Sequence, residues 1–259
     1  PADTELKVEF PTITNNMTVK LDNPVSSLLT SGSVTLEGQS AVYSSDGHSY
    51  SVTCWVSASG DLGAHQQATL WTFGTGNGRN MVKEKDSSWQ FIVQNTIGGS
   101  GNVLVIGRTI PTGWHFLTAV AKTRSDTGGV NTEASMSINA TNQVDIAGAS
   151  GADLDNTFGA DAGIFKIGPT TANFEVKIRD CILWDGGLTQ EQISLLYNNG
   201  SYYDPGRLTS PAKKVWFKPT GSVGLVPSSA KNFGNAGGDF TRQDYNAADD
   251  VILISDDCP

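Results

Sequence analysis

"KIRDCILWDGGLTQEQISLLYNNG" (177–200) is the one stretch of this chain that changes from a strand pattern to a helix pattern. Its first half is rich in β-prone residues, and its second half carries helix-start signals. Thr189 can cap the helix, Gln192 can reach back to it, and Gly200 can end it in a left-handed turn. The pattern therefore predicts one short helix near residues 189–198.

The predicted helix has an apolar side. Leu188 can pack on Ile193 as a staple across the first turn. Three further apolar residues continue that side: Leu195, Leu196 and Tyr197. A helix of two or three turns is marginal in water on its own. We therefore expect it to dock on the rest of the fold as a structural lid, with no chemistry of its own.

The rest of the chain alternates between apolar and polar residues over short segments. Every second residue from Tyr50 to Val56 faces one way, and Ser51, Thr53 and Trp55 face the other. Such alternation is typical of antiparallel sheets, so the sequence predicts an all-β fold of two antiparallel sheets packed face to face. The predicted strands are 32–38, 50–58, 68–74, 89–95, 102–108, 114–123, 134–140, 163–168, 174–185 and 213–219.

Charge and hydropathy narrow the classes of partner. The 259 residues include 17 Lys or Arg against 26 Asp or Glu, so the net charge is −9. Binding to a phosphate backbone needs clustered cations, so nucleic acid is not an expected partner. Since no apolar run is long enough to cross a bilayer, membrane insertion is not expected either.

The start of the chain, "PADTELKVEF" (1–10), lacks the basic-then-apolar pattern of a signal peptide. Either a signal has been removed or the protein is made in the cytosol. Pro1 is a small residue of the kind exposed when an initiator Met is trimmed, which favours synthesis in the cytosol.

The chain has three cysteines, an odd number. Cys54 and Cys181 lie inside apolar strand-like segments, and Cys258 is next to the C-terminal residue. The two strand cysteines are interpreted as buried free thiols that pack as small hydrophobic groups. A Cys54–Cys181 disulfide is the alternative, and it depends on a distance that the sequence does not contain.

The order of these segments resembles the laminin-G-like and pentraxin-like jelly rolls of the concanavalin-A-like lectin/glucanase superfamily, across about residues 30–205. The resemblance lies in an aromatic residue on an early strand, a Trp-His pair opening a central strand, and a Gly before the last long strand. A closing aromatic-Asp and a Leu-Thr helix start complete it. The matching residues are Trp55, Trp114, His115, Gly168, Trp184, Asp185, Leu188 and Thr189. The resemblance implies a two-sheet jelly roll whose single helix is part of the fold.

The resemblance also suggests a division of the chain. An N-terminal extension (1–29) and an acidic tail (246–259) would flank one jelly-roll domain (30–245). We expect residues 204–244 to complete the sandwich by pairing with a strand near 32–43. In the tail, "VILIS" (251–255) is a β-prone segment that either pairs with a neighbouring molecule or adds a strand to the same domain.

Catalysis is not expected. Glucanases of this superfamily carry two carboxylates on a Glu-x-Asp-x-x-Glu strand, and the sequence has no such pattern. Glu84 and Asp86 are two residues apart without a third acid, and are interpreted as part of a solvated turn. His115, beside Trp114, is interpreted as a hydrogen-bonded core histidine and not as a base.

Calcium is the one cofactor that the resemblance raises. The segment "PTTANFE" (169–175), where pentraxins hold calcium ligands, is short and nearly neutral, so that pair of ions is not expected. Oxygen ligands suit Ca²⁺, and a different acidic segment is a candidate site. That segment is 151–161, with Asp153, Asp155, Asn156 and Asp161. An ordinary polar turn explains the same residues.

Glycan recognition needs exposed aromatic rings and polar partners for the sugar hydroxyls. Three tryptophans are expected in the core: Trp55, Trp114 and Trp184. The candidate sugar-binding residues are Asn77, Arg79, Asn80, Trp89, Tyr202, Tyr203 and Tyr245. These residues and the lack of a catalytic pattern predict a non-catalytic glycan-binding or structural module. Because the sequence shows no secretion signal, no disulfide framework and a single jelly roll, we expect it on a virion surface, as a phage capsid decoration or fibre protein. Its expected partners are host glycans or neighbouring subunits, with homo-oligomers allowed. A secreted lectin-like adhesion module and a polysaccharide-degrading enzyme with an atypical site are the alternatives.

Overall fold

The structure is a computed structural model of the 259-residue chain. It describes the following residues: 27–30, 35–41, 48–59, 67–73, 80–85, 88–94, 103–122, 133–146, 164–168, 175–219, 224–225, 229–243 and 251–254.

Strands dominate these residues. Each of the ten predicted strands is confirmed, with ends displaced by three residues at most. The strands are β1 (Ser27–Thr30), β2 (Thr35–Ala41), β3 (Tyr50–Ser59), β4 (Gln67–Phe73), β5 (Asn80–Lys85), β6 (Ser88–Gln94), β7 (Val103–Thr109), β8 (His115–Lys122), β9 (Glu133–Ile138), β10 (Thr141–Ile146), β11 (Ile164–Ile167), β12 (Glu175–Trp184), β13 (Lys213–Phe217), β14 (Gly224–Leu225), β15 (Ser229–Ala230), β16 (Phe240–Gln243) and β17 (Val251–Ile254).

The strands form two antiparallel sheets. Sheet I has the order β10-β9-β8-β3-β12-β1-β17-β14, and β13 also pairs with β12. Sheet II has the order β15-β16-β2-β11-β4-β5-β6-β7. The predicted fold class, an all-β antiparallel sandwich with one short helix, is confirmed.

The main core lies between the sheets. On β3, Tyr50, Val52, Cys54 and Val56 all face it, as the alternation predicts. Sheet II contributes a group of stacked aromatic rings, in which Trp71 lies 6.1 Å from Phe165 between ring centroids. The other large aromatic side chains that sheet II buries in this core are Phe73, Trp89, Phe91 and Phe240.

A second core covers the opposite, outer face of sheet I. Trp55, Phe116, Ile182 and Trp184 point to this side, where the helix packs on them. The Trp184 Nε1–H donates to Thr53 Oγ1 at 2.9 Å, which satisfies both polar groups where water is excluded. The middle strands of sheet I are therefore buried on both faces. Tryptophans at positions 55 and 184 are buried as predicted, and Trp114 is partly buried against the same group.

The helix α1 (Gln190–Tyr197) begins as predicted. The Gln192 N–H donates to Thr189 Oγ1, and the Gln192 side chain accepts from the Thr189 N–H, which completes a capping box. Its end differs from the prediction: Asn198, with a φ of 46°, ends the helix two residues before Gly200. Asparagine tolerates this left-handed conformation better than most residues, so glycine is not needed there. Leu195 also departs from the prediction, because it is 44% exposed.

Strands at both ends of the chain extend the sheets. β16 pairs with β2, which confirms that residues 204–244 reach the strand near 32–43. β17 pairs with both β1 and β14, so the tail segment adds a strand to sheet I of its own chain. The proposed domain boundaries at 29/30 and 245/246 stay a prediction.

The solvated turn predicted around Glu84 is wrong. Glu84 lies in β5, opposite Ala68 of β4 and Trp89 of β6. The charged residues Lys83–Lys85 have a low intrinsic preference for strands, which hides this strand in the sequence. Backbone pairing with a strand on each side outweighs that preference. Asp86 lies outside the described residues.

The two strand cysteines are free and buried. Their thiols are hydrogen-bonded to each other, and this contact together with burial raises the pKa of Cys181 well above its usual value. They pack as small core groups, which is the first of the two interpretations. Within the described ranges, α1 is the longest helix, and no helix there is long and apolar enough to cross a membrane.

Candidate functional site

Most of the residues predicted for a ligand site fall outside the described ranges. Those residues are Asn77, Arg79, Tyr245 and the candidate calcium ligands Asp153, Asp155 and Asp161. Asn80 opens β5, where its backbone pairs with Phe73 and Val93. Among the described His, Cys, Asp and Glu side chains, no group of three could hold a metal ion.

The prediction that Trp89 stacks on a sugar is wrong. Trp89 has 0% exposure, because β6 turns it into the core between the sheets. Its Nε1–H donates to His115 Nε2 at 2.9 Å. The other ring nitrogen, Nδ1, lies 3.1 Å from the Gly113 carbonyl oxygen, so it carries the proton and donates to it. The prediction that His115 is a hydrogen-bonded core histidine is confirmed, and burial lowers its pKa.

Tyr202 and Tyr203 lie together on the outer side of sheet I, and both are partly buried. Tyr203 packs against the outer core. The Arg179 guanidinium lies 3.8 Å from the centre of the Tyr202 ring, a close cation–π contact. Burial raises the pKa of Tyr202, with a further contribution from the nearby Asp180 carboxylate.

Trp216, on β13, is the centre of a larger group of aromatic and charged side chains. Its Nε1–H donates to Asp180 Oδ1 at 2.7 Å, and only 9% of the residue is exposed. Lys218 Nζ lies 5.4 Å from the centre of the ring, and Lys213 Nζ lies 5.7 Å from it. We call this group the Trp216 patch and define it as Arg179, Asp180, Tyr202, Lys213, Trp216, Lys218, Lys231 and Phe233.

Phe233 is the exposed ring of the patch. It is 38% exposed, and its centroid lies 6.0 Å from that of Trp216. Lys231 is exposed, and its Nζ lies over the Phe233 ring, 5.2 Å from the ring centre. The patch therefore presents an aromatic surface bordered by ammonium groups.

Backbone contacts fix the position of Phe233. The Phe233 N–H donates to the Trp216 carbonyl oxygen at 2.9 Å. Asn232 Oδ1 accepts from the N–H groups of Trp216 and Gly234 at 3.0 and 2.9 Å. A Cβ atom on Gly234 would lie 2.4 Å from the carbonyl oxygen of Lys214, so only glycine lets these two segments of the chain approach this closely.

Asp180 lies beneath the rings at a bulge in β12. The register with β3 shifts by one residue between Arg179 and Ile182, and Asp180 there has a φ of 49°. It is 3% exposed, and this burial raises the pKa of its carboxyl group. The hydrogen bond from Trp216 and the charges of Arg179 and Lys218 oppose the shift. A non-glycine residue in this conformation stores backbone strain, a feature that is more frequent at functional positions than elsewhere.

One sequence signal could have found this patch. Residues 205–243 contain six Lys or Arg and one acidic residue, Asp239. In a chain of net charge −9 this is a marked reversal of sign. The segment also contains both Trp216 and Phe233, so basic and aromatic residues alternate in it.

The arrangement suits binding better than bond cleavage. A glycoside hydrolase needs two carboxylates facing a substrate across a cleft. The carboxylate of the patch, Asp180, is buried under Trp216, where it orients the indole ring and does not reach the surface.

Comparison with known proteins identifies similar folds but no protein family. No protein-family model matches the chain, and no curated protein matches it. A solved structure described as a "putative carbohydrate binding protein" from Bacteroides ovatus is similar over 90% of this chain, with a TM-score of 0.57 and 15% identity. The receptor binding domain of botulinum neurotoxin D is similar over 68% of this chain, with a TM-score of 0.50 and 19% identity.

This chain spans 61% of the Bacteroides ovatus protein and 44% of the neurotoxin structure. Similarity at such low identity establishes a shared fold, and one fold hosts many functions. The laminin-G-like and pentraxin-like relationship therefore stays a resemblance.

Proposed function

We propose that this chain is a non-catalytic glycan-binding module and that the Trp216 patch is its sugar-stacking surface. The observation that carries the proposal is the exposed Phe233 ring, held 6.0 Å from Trp216 by backbone contacts. The apolar face of a sugar ring packs on such a ring, while hydroxyl groups need polar partners at its border. Lys218 and Lys231 supply donors there.

Tyr202 extends this surface. Of the aromatic candidates that the structure describes, it is the one that joins the patch, through its contact with Arg179. Because Arg179 lies over the ring, the tyrosine is held in place before any ligand arrives. Such preorganisation lowers the entropy cost of binding.

The structural neighbours support the proposal at the level of the fold. One is described as a putative carbohydrate binding protein and the other as a receptor binding domain. Neither description concerns catalysis, which agrees with the absence of a surface carboxylate pair among the patch residues.

A glycan array tests the proposal, with the labelled protein applied in calcium and again in chelator. We expect the wild type to bind at least one glycan and Phe233→Ala to weaken that binding by at least about tenfold, as for other central aromatic contacts. Leu195→Ala is the matched control, because Leu195 is 44% exposed on α1 and lies outside the patch. A wild type that binds no glycan contradicts the proposal, and so does equal binding by Phe233→Ala.

The chelator arm tests the candidate calcium site. If binding disappears without calcium, the acidic segment 151–161 becomes the first place to look for ligands. Asp153→Asn should then reproduce the loss in the presence of calcium. Binding that is unchanged in chelator removes calcium from the recognition mechanism.

The setting of the module is a further part of the proposal. The sequence favours a virion surface, where a glycan-binding protein contacts host cells or neighbouring subunits, and a secreted adhesion module is the alternative. Immunogold electron microscopy with an antibody against this chain separates the two. Label on virus particles supports the first, and label on cell surfaces without particles contradicts it.

A further inference from the structure

We infer that the Trp216 patch selects acidic saccharides, which carry a carboxylate or sulfate group on the sugar ring. The inference rests on the proposed glycan-binding function and names the ligand class of the same site. The juxtaposition that carries it is the exposed Phe233 ring packed on the largely buried Trp216 ring, with a lysine ammonium group over each of the two rings.

The distribution of charge along the chain favours an anionic ligand here. Residues 205–243 have a net charge of +5, from six basic residues and one acidic residue. Since the whole chain has a net charge of −9, the other 220 residues carry −14. Salt screens charges beyond roughly 8 Å at physiological ionic strength, so a ligand at the patch interacts mainly with the local cations.

The geometry places those cations where a substituent on a stacked sugar would lie. Lys218 Nζ lies 5.4 Å from the Trp216 ring centre, and Lys231 Nζ lies 5.2 Å from the Phe233 ring centre. Both ammonium groups lie over the aromatic rings, so the carboxylate or sulfate of a sugar bound against Phe233 can reach a lysine at either ring. Charge-assisted hydrogen bonds of this kind are about twice as strong as neutral ones.

The nearby acids weaken this field and do not reverse its sign, because the patch holds one acid, Asp180, against four cations: Arg179, Lys213, Lys218 and Lys231. Asp204, just outside the patch, also acts on Tyr202 and Lys213. Asp180 is buried beneath Trp216 and accepts its indole N–H. Asp239 accepts the Asn232 N–H and so fixes the segment that carries Lys231 and Phe233. Among the cations, Lys213 already has a hydrogen-bond acceptor, because its ammonium group donates to the Leu208 carbonyl oxygen.

A nucleic acid is the competing polyanion. Its recognition depends on many phosphate contacts in a row, and the acidic remainder of the chain repels an extended polyanion. A single acidic sugar requires only the two or three cations that border the rings. The patch therefore favours the saccharide.

Matched glycan pairs test the inference. Each pair differs in one group: a uronate oligosaccharide and its methyl ester, or a sulfated oligosaccharide and its unsulfated form. A DNA dodecamer is the third probe. We expect the wild type to bind the acidic member of at least one pair about tenfold more tightly than the neutral member. We expect it to leave the DNA unbound at the same salt concentration.

Charge-removing variants locate the selectivity. Lys218→Gln with Lys231→Gln should abolish the preference for the acidic member and leave stacking on Phe233 intact. Lys166→Gln removes one lysine charge from sheet II, away from the patch, and should leave the preference unchanged.

The outcomes separate this inference from the proposed function. Equal binding of acidic and neutral members overturns the inference and keeps the glycan-binding function. Binding of DNA in proportion to its charge also overturns it, because the patch would then be an unselective cation cluster. A wild type that binds none of the saccharides overturns both.

Discussion

The two faces of sheet I differ in what they bury. The inner face meets sheet II through apolar side chains, such as Tyr50, Val52 and Leu183. The outer face is covered by α1 and by the chain around β13. There tryptophans pack beside buried polar groups, including Thr53 and Asp180.

Within this one sheet, the inner face therefore serves mainly to stabilise the fold, and the outer face carries the proposed binding surface. A mainly apolar, closely packed interior contributes free energy through burial and packing, and it leaves no room for a polar ligand. The outer face keeps aromatic rings near the surface by anchoring their N–H groups to buried oxygens. Of the rings in the patch, Phe233 stays available at the surface.

The largest expected effect compares the two faces directly. Trp71→Ala in the inner core should lower the free energy of unfolding by about 3–5 kcal/mol, because the ring is 1% exposed and its removal leaves a cavity. Phe233→Ala on the outer side should lower it by only about 1 kcal/mol, because the ring is 38% exposed and loses mainly its contact with Trp216. Urea denaturation followed by far-UV circular dichroism measures both. If the two losses are equal, the division between the faces is wrong.

The next effect concerns the segment that carries Phe233. Gly234→Ala should destabilise the protein by about 1–3 kcal/mol, because the new Cβ lies 2.4 Å from the Lys214 carbonyl oxygen. It should also weaken glycan binding, since the segment must move away from β13. Gly237→Asn is the control: a Cβ there meets no atom within 4 Å, and asparagine tolerates its positive φ. Thermal melts and array binding should leave that control close to wild type.

The elements of the fold could be predicted because their signals are local. Alternation marks β3, and the Thr189 and Gln192 pair marks the start of α1. Trp89 could also have been placed correctly. It alternates with Phe91 and Val93 in a predicted strand, which indicates a core position.

The bulge at Asp180 could not be predicted, because it reverses which face of the sheet each residue of β12 points to. Prediction of a strand from alternating apolar and polar residues assumes that this order is unbroken. Val176 and Ile178 face the inner core, but Ile182 and Trp184 face the outer one. An uninterrupted strand would place all four on one face, together with Asp180. One inserted residue changes the face, and nothing in the local sequence marks it.

Phe233 was missed for a related reason. Its position depends on bonds to Trp216, 17 residues earlier, and on the close approach of Gly234 to Lys214. "KNFGNAGGDF" (231–240) has neither strand nor helix periodicity, so these contacts are invisible in it. The reversal of charge over 205–243 was the signal that could have drawn attention to this segment.

A smaller effect tests how the outer face is covered. Thr189→Ala should lower the free energy of unfolding by about 1 kcal/mol, because the Gln192 N–H loses its capping acceptor. Thr189→Ser keeps the hydroxyl group and should stay close to wild type. Chemical denaturation gives both values. An Ala variant as stable as wild type would show that packing of Ile193 and Leu196 alone holds the helix in place.

The smallest effect is a pH dependence that belongs to the outer face alone. Burial raises the pKa of Asp180 above its usual value of 3.8, so the folded state binds its proton more tightly than the unfolded state. Its contribution to stability therefore falls as the pH rises from near 3.8 through the raised pKa, and the penalty is complete above it. Asp180→Asn keeps the acceptor for the Trp216 N–H and has no charge to bury. The variant should gain stability relative to wild type across that window and hold a constant advantage above it.

Urea denaturation of both proteins from about pH 3 to about pH 7 measures this difference, a range that covers carboxyl titration. His115, whose pKa is lowered by burial, makes both proteins less stable as the pH falls below 6.5, and this contribution cancels in the comparison. A stability difference that does not change with pH would mean that Asp180 is ionised at no net cost. In that case the charges of Arg179 and Lys218 compensate fully for the cost of burying the Asp180 carboxylate. The buried polar groups of the outer face would then cost no more free energy than those of the inner face.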